Sequence, residues 1–175
     1  KNGEPVKTLE PFALPEDPWA GKEQEAVKRG KELYHFKAEC VNCHPAYGGK
    51  EDLYKLSVDA SKREPDTFKA MGGFRDDFYG SVAKDSQEYG VRILPPDFTF
   101  NPVRSVREGH EMEDLFRILS FGVYPIMPAW KDALPDKDIW AIAHYVRSLM
   151  AMRNTPAAVV MREELMKQVS YEIPK

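Results

Sequence analysis

Cysteine is scarce in this chain. Two occur in 175 residues, at positions 40 and 43, and a bridge between neighbours so close would shut too short a loop to staple a fold. A disulfide-built scaffold is excluded, and one local task for both thiols is the better account. Long apolar runs are missing too. The longest stretches span only a few residues, such as Ala157 to Met161, against the roughly 18 that a membrane-crossing helix needs. Nor does charge of one sign accumulate. The formal net charge is −3, with no basic stripe and no acidic tail, so a nucleic-acid footprint is not expected and partners must be met through local patches. No internal repeat is evident. The sequence begins at Lys1 in a polar segment without an apolar signal core, compatible with a signal peptide or anchor removed ahead of it.

What is present is ordinary globular composition, 42% apolar and 30% charged, in a chain the size of one domain. Residues 1–21 carry Pro5, Pro11, Pro15 and Pro18 and read as an extended N-terminal arm, its end anchored by Trp19. A body spans 22–150. Within it, 22–36 is expected to form an amphipathic helix with Ala26, Leu33 and Tyr34 on one face and Gly30 as a gap. Residues 45–92 are interrupted by glycines at 48, 49, 72, 73, 80 and 90, leaving room for one or two short helices, for example 64–71. The periodicity of Met112, Leu115, Phe116, Ile118 and Leu119 predicts a helix over 111–121 that Gly122 stops. Pro135 opens a further helix over 136–150, with acids in its first turn, Arg147 in its last, and Ile139, Trp140, Ala143, Val146 and Met150 on its buried stripe. Residues 151–175 form a C-terminal extension with a helix expected over 156–169.

The two cysteines belong to Cys40-Val41-Asn42-Cys43-His44. Two intervening residues let one helical turn present both sulfurs to the two vinyl groups of a haem, and the next residue then faces the iron. This spacing reads as attachment of one covalent haem c, with His44 as proximal iron ligand. A structural zinc site would need a second pair of ligands, and neither another Cys-x-x-Cys nor a close His pair exists. A thioredoxin-like pair would follow a strand, whereas here a helical segment leads in.

The sixth iron position separates an electron carrier from a ligand-binding haem. Among seven methionines, Met127 lies in Tyr124-Pro125-Ile126-Met127-Pro128, a loop stiffened by two prolines just after a glycine-ended helix. It is the expected distal ligand, with core packing as the competing role. Met71, in Ala70-Met71-Gly72-Gly73, is the next candidate, while Met112 and Met150 fit helical stripes. His35, His110 and His144 are further possible ligands, each more often solvated or internally satisfied.

These residues together resemble the class I cytochrome c family over about 26–46 and 94–150. Gly30-x-x-x-Tyr34 resembles its first helix, crossed closely by a last helix to which Trp140 and Tyr145 correspond. Pro96-Asp97-Phe98-Thr99 is similar to the family's Pro-Asp-Leu-Thr segment, and Glu113 to Arg117 with Gly122 and Pro125 to Pro128 to its helix and methionine loop. The resemblance implies an all-α cytochrome c fold around one haem ligated by His44 and Met127, with a carbonyl at Pro95 or Pro96 orienting His44. It also makes Tyr124, Trp130 and Arg104 candidates for contacts to the haem propionates, with rim packing or surface charge as the alternative. Two departures stand out. Pro45 follows the histidine where the family commonly has a small residue, and 45–92 forms a long insertion.

The expected function is outer-sphere transfer of single electrons between a protein donor and a protein acceptor, with no substrate transformed. The insertion and the two arms point to docking on, or membership of, a respiratory or dehydrogenase complex. The alternative is a haem sensor or enzyme that binds a small ligand at a displaceable sixth position. Haem attachment in this family implies the periplasm or another site outside the cytoplasm, with any membrane association running through a partner or a removed anchor.

Overall fold

The computed structural model describes residues 12–175. Helix α1 (Glu23–Glu32) runs without a break into a wider π turn, Leu33–Lys37. A short 3-10 turn over Cys40–Asn42 follows. Ala26 and Gly30 face inward from α1, and Leu33 and Tyr34 continue that face. Helix α2 spans Lys50–Arg63, α3 Glu111–Phe121, α4 Asp136–Ala151 and α5 Pro156–Met166. One short hairpin pairs β1 (Lys84–Ser86) with β2 (Val91–Ile93), so the helical fold carries a small sheet that the sequence reading did not include.

The core forms where α4 crosses α1 and packs on α3. At the crossing, a Cβ added to Gly30 would stand 2.0 Å from the Ala141 carbonyl oxygen and 2.7 Å from Tyr145 Cβ. Only the bare backbone of glycine permits this approach. Helix α4 buries Ile139, Trp140, Ala143 and Val146 as expected, but also Ala141, Ile142, His144, Tyr145 and Leu149, because other segments cover its remaining sides. Met150 is half-buried. The helix runs one residue beyond the expected end, placing Arg147 ahead of the last turn. Against α3, Trp140 meets Phe116 with ring centroids 4.4 Å apart.

The insertion is more ordered than its glycines suggest. Leu53, Ser57 and Ala60 form the buried stripe of α2, and Glu51 pairs with Lys55 one turn later at 2.6 Å. The expected helix at 64–71 does not form. Glu64 precedes Pro65, whose ring pushes it out of the helical region to φ −136°, ψ 71°, so the helix ends before this segment rather than starting in it. Arg29 then ties the pieces together, reaching Glu64 at 2.9 Å and Asp138 at 3.2 Å. Arg63 meets the buried Glu32 at 2.7 Å.

The described segments before α1 and after α4 pack back on the body. Of the N-terminal arm, residues 1–11, including Pro5 and Pro11, lie outside the described residues. Beyond them, Trp19 donates its ring N–H to the Lys137 carbonyl at 2.8 Å, the anchor expected of it. Asp17 meets His144 at 2.7 Å. At the other end α5 stops three residues short of the expected 169. Thr155 caps it by accepting from the Ala158 amide, with Pro156 at the first helical position. The tail then places Tyr171 against Tyr54 and Phe74, at 6.0 Å from each ring.

Replacing Gly30 with alanine should therefore destabilise the fold by about 1–3 kcal/mol, despite the roughly 1 kcal/mol that alanine gains in helix propensity. Gly72→Ala, where a Cβ meets nothing within 4 Å, should change stability by less than about 0.5 kcal/mol. Denaturant unfolding of the two variants checks the contrast.

Candidate haem site

The attachment motif sits on a single tight turn. The amides of Cys43 and His44 both donate to the Cys40 carbonyl, at 3.1 and 2.8 Å. Glu39 enters the turn in the left-handed region at φ 49°, and its carboxylate accepts from the Asn42 side chain at 3.0 Å. Both cysteines are unpaired and half-buried. Burial pushes the Cys40 thiol up to about 12. That is opposite to the lowered value of a redox-active Cys-x-x-Cys pair and leaves a neutral thiol at pH 7.

His44 follows directly. Its Nδ1–H donates to the Pro96 carbonyl at 3.0 Å, and its ring stacks on Phe98 with centroids 4.8 Å apart. Burial lowers its pKa, opposed by the hydrogen bond to Pro96. The imidazole is thus held neutral with Nδ1 protonated, the tautomer that leaves the Nε2 lone pair available to a metal.

The Pro96 carbonyl is fixed by what surrounds it. Asp97 Oδ1 accepts from the Thr99 amide at 3.0 Å and from its hydroxyl at 2.7 Å, an Asx turn closed by two donors. Tyr47 donates its hydroxyl to the same oxygen at 3.2 Å and accepts from the Phe98 amide at 2.9 Å. Arg162 of α5 reaches the other carboxylate oxygen at 2.6 Å. Beside Tyr47 and Phe98, with ring centroids 6.0 and 6.4 Å away, Tyr34 donates to the Pro45 carbonyl at 2.9 Å.

The insertion closes over the same turn. The Val82 amide donates to the Cys43 carbonyl at 2.8 Å, and the Ala46 amide to that of Phe78 at 3.0 Å. Arg75 donates to the carbonyls of Val41 at 2.7 Å and His44 at 3.1 Å. Two thiols on one turn, followed by a neutral imidazole whose far nitrogen is aimed by a backbone carbonyl, form a donor set that fits a covalently attached haem.

Met127 lies in the loop beyond α3. Gly122 turns the chain at φ 69°, where a Cβ would stand 2.3 Å from the Met127 carbonyl oxygen. Val123 and Met127 exchange both backbone hydrogen bonds, at 3.0 and 2.9 Å. The Tyr124–Pro125 peptide bond inside this loop is cis. Met127 is half-buried against the core. Of the other candidates, Tyr124 is 77% exposed, whereas Trp130 packs against the core and donates its amide to the Leu119 carbonyl at 3.0 Å. Arg104 is exposed and forms no ion pair among the described residues. The structure therefore brings Cys40, Cys43, His44 and Pro96 together in one cluster. Met127, Tyr124 and Trp130 follow α3, and Arg104 is exposed on the segment that precedes it.

The competing ligands have other partners. His35 is buried, with Nδ1–H donating to the Lys31 carbonyl at 2.7 Å and Nε2 accepting from the Tyr47 amide at 3.4 Å, so both its nitrogens are occupied. His144 is held by Asp17, and His110 is exposed at the start of α3, 3.6 Å from Glu113. Met71 lines a cavity of about 170 Å³ with His35, Phe36 and Val41. Arg75, Tyr47 and Arg162 were not singled out from sequence. Asp97 and Thr99 carried an Asx-turn signal inside the Pro-Asp-Phe-Thr segment, but an arginine that binds distant backbone carbonyls leaves no local pattern.

Residues 25–146 match the family model described as cytochrome c oxidase, cbb3-type, subunit III. No curated protein matches the chain, and no solved structure does.

Two outcomes follow from the packing around the motif. Asp97→Asn keeps an acceptor for Thr99 but loses the ion pair to the half-exposed Arg162, and should cost at most about 1 kcal/mol. Asp97→Ala strands the Thr99 and Tyr47 donors and should cost about 2–3 kcal/mol by chemical unfolding. His35, held down to about 3 by burial, stays neutral in the fold while the unfolded chain takes up a proton below about 6.5. Its contribution is complete above that value and is lost as pH falls toward 3. Unfolding free energies measured across this window should fall less steeply in His35→Gln than in the native chain.

Proposed function

Because the chain belongs to the family of cytochrome c oxidase, cbb3-type, subunit III, and so carries covalent haem c, we propose that it passes single electrons between two redox proteins outside the cytoplasm. In this reading Cys40 and Cys43 hold the haem, and His44 and Met127 are its axial ligands. The haem supplies the one-electron iron couple. The observation that carries the reading is the hydrogen bond from His44 Nδ1–H to the Pro96 carbonyl at 3.0 Å, on the same turn as the two thiols.

Each residue then has a defined task. The thiols fix the group by two bonds, so no exchange accompanies turnover. Pro96 holds the imidazole in one tautomer and one orientation and increases its basicity. Met127 brings a soft thioether, which favours the reduced iron and a higher potential, from a loop locked by its own backbone pairing with Val123. A ligand set that is the same in both redox states keeps reorganisation small. Trp130, Tyr124 and Arg104 are proposed as donors toward the haem carboxylates.

Docking is proposed on a respiratory or dehydrogenase complex, as a subunit or dedicated partner. The family's name refers to an oxidase subunit, which supports the respiratory version. Phe121, Val123 and Tyr124 are exposed beside the Met127 loop, and Tyr89, Val91 and Leu94 on and beside the hairpin. These patches suit a transient redox contact, for which less than about 1,200 Å² of burial is usual. No helix among the described residues is long and apolar enough to cross a membrane.

Optical spectra of the purified protein test the ligand set. Low-spin iron is expected in both oxidation states, and Met127→Ala should convert the ferric form to high spin. An unchanged spectrum would move the distal role to Met71 or a histidine, and a high-spin native protein would replace the carrier with a ligand-binding haem. Docking is tested separately: a lone monomer that reduces generic acceptors without preference would remove the dedicated partner.

A further inference from the structure

We propose that Arg75, reaching in from the insertion, is a positioning residue for the proximal ligand and raises the reduction potential of the iron bound by His44. This rests on the reading of His44 as that ligand. The side chain is only 19% exposed, and the planar fork of its guanidinium is used almost in full. Nε donates to the Val41 carbonyl at 2.7 Å, Nη2 to the carbonyls of His44 at 3.1 Å and of Gly80, and Nη1 to the Asp77 carbonyl at 2.7 Å and to its carboxylate.

Two of these acceptors lie in the attachment motif itself. Val41 sits between the two cysteines, and His44 is the ligand. One rigid side chain therefore fixes the turn that carries the thiols relative to the residue that carries the imidazole. An ammonium offers a point charge and cannot reproduce this set of angles.

The second consequence is electrostatic. Oxidation adds a positive charge at the iron, and a fixed cation on the backbone of its own ligand opposes that change. Arg75 thus favours the reduced state. Asp77 offsets the charge only partly, since its side chain is 60% exposed and water screens it. The charge should act on the potential, and the fork should act on how firmly His44 is retained.

Potentiometric titration and acid titration of the holoproteins separate the two effects. Arg75→Gln should lower the midpoint potential and lose the low-spin spectrum at a higher pH than the native protein, with helix content unchanged by circular dichroism. Arg75→Lys should keep the native potential but lose the low-spin spectrum at an intermediate pH. If Arg75→Gln yields no holoprotein, the lysine variant decides by the same criterion. Native behaviour of the lysine variant in both titrations, or a potential in that variant below the native one, would overturn the proposal. A native protein without covalent haem, or without His44 bound to it, would instead sink the underlying reading.

Discussion

The hydrogen bond between His44 and the Pro96 carbonyl joins two segments 52 positions apart, and the rest of the site is arranged to keep it. An imidazole on a loop is a poor ligand unless its tautomer and ring plane are set in advance, because each free torsion costs entropy when the metal is bound. The carbonyl must itself be held. Asp97 does this by accepting from Thr99 and Tyr47, while Arg162 neutralises its second oxygen. Chain added after the family-like core is thereby committed to the His44–Pro96 side of the site.

The insertion works on the other end of the same bond. Val82 and Arg75 hold the carbonyls of Cys43, Val41 and His44, and α2 is fastened to α1 through Arg63 and Glu32, with Arg29 bridging Glu64 to Asp138 of α4. The close crossing at Gly30 fixes where α1 delivers the motif. A long insertion expected to serve a partner therefore spends much of its length bracing the turn from Cys40 to His44, while the hairpin exposes Tyr89 and Val91.

What sequence alone could reach follows from the range of the interactions involved. The tight turn through Cys40 to His44, α3 with its Gly122 stop and the start of α4 depend on near neighbours, and each was legible. A short helix was expected within 45–92, but the example placed at 64–71 falls just after α2, because the surrounding glycines obscure the period of Leu53, Ser57 and Ala60 and Pro65 ends the helix where that example begins. The hairpin has strands of three residues, too short for an alternating pattern to register. Arg75 and Arg162 act through contacts 31 to 65 positions away, which no local pattern encodes. His35 could be placed inside the leading helix but not paired, since one partner, the Tyr47 amide, arrives only when the chain folds back beyond the motif.

The most direct test of the account is peptide mapping of the intact, mature protein by mass spectrometry after reduction and denaturation. The account predicts that one haem remains bound through two thioether bonds to the peptide containing Cys40, Cys43 and His44. Recovery of that peptide with both thiols unmodified, from protein matured in a cell that attaches haem to other cytochromes, would contradict it.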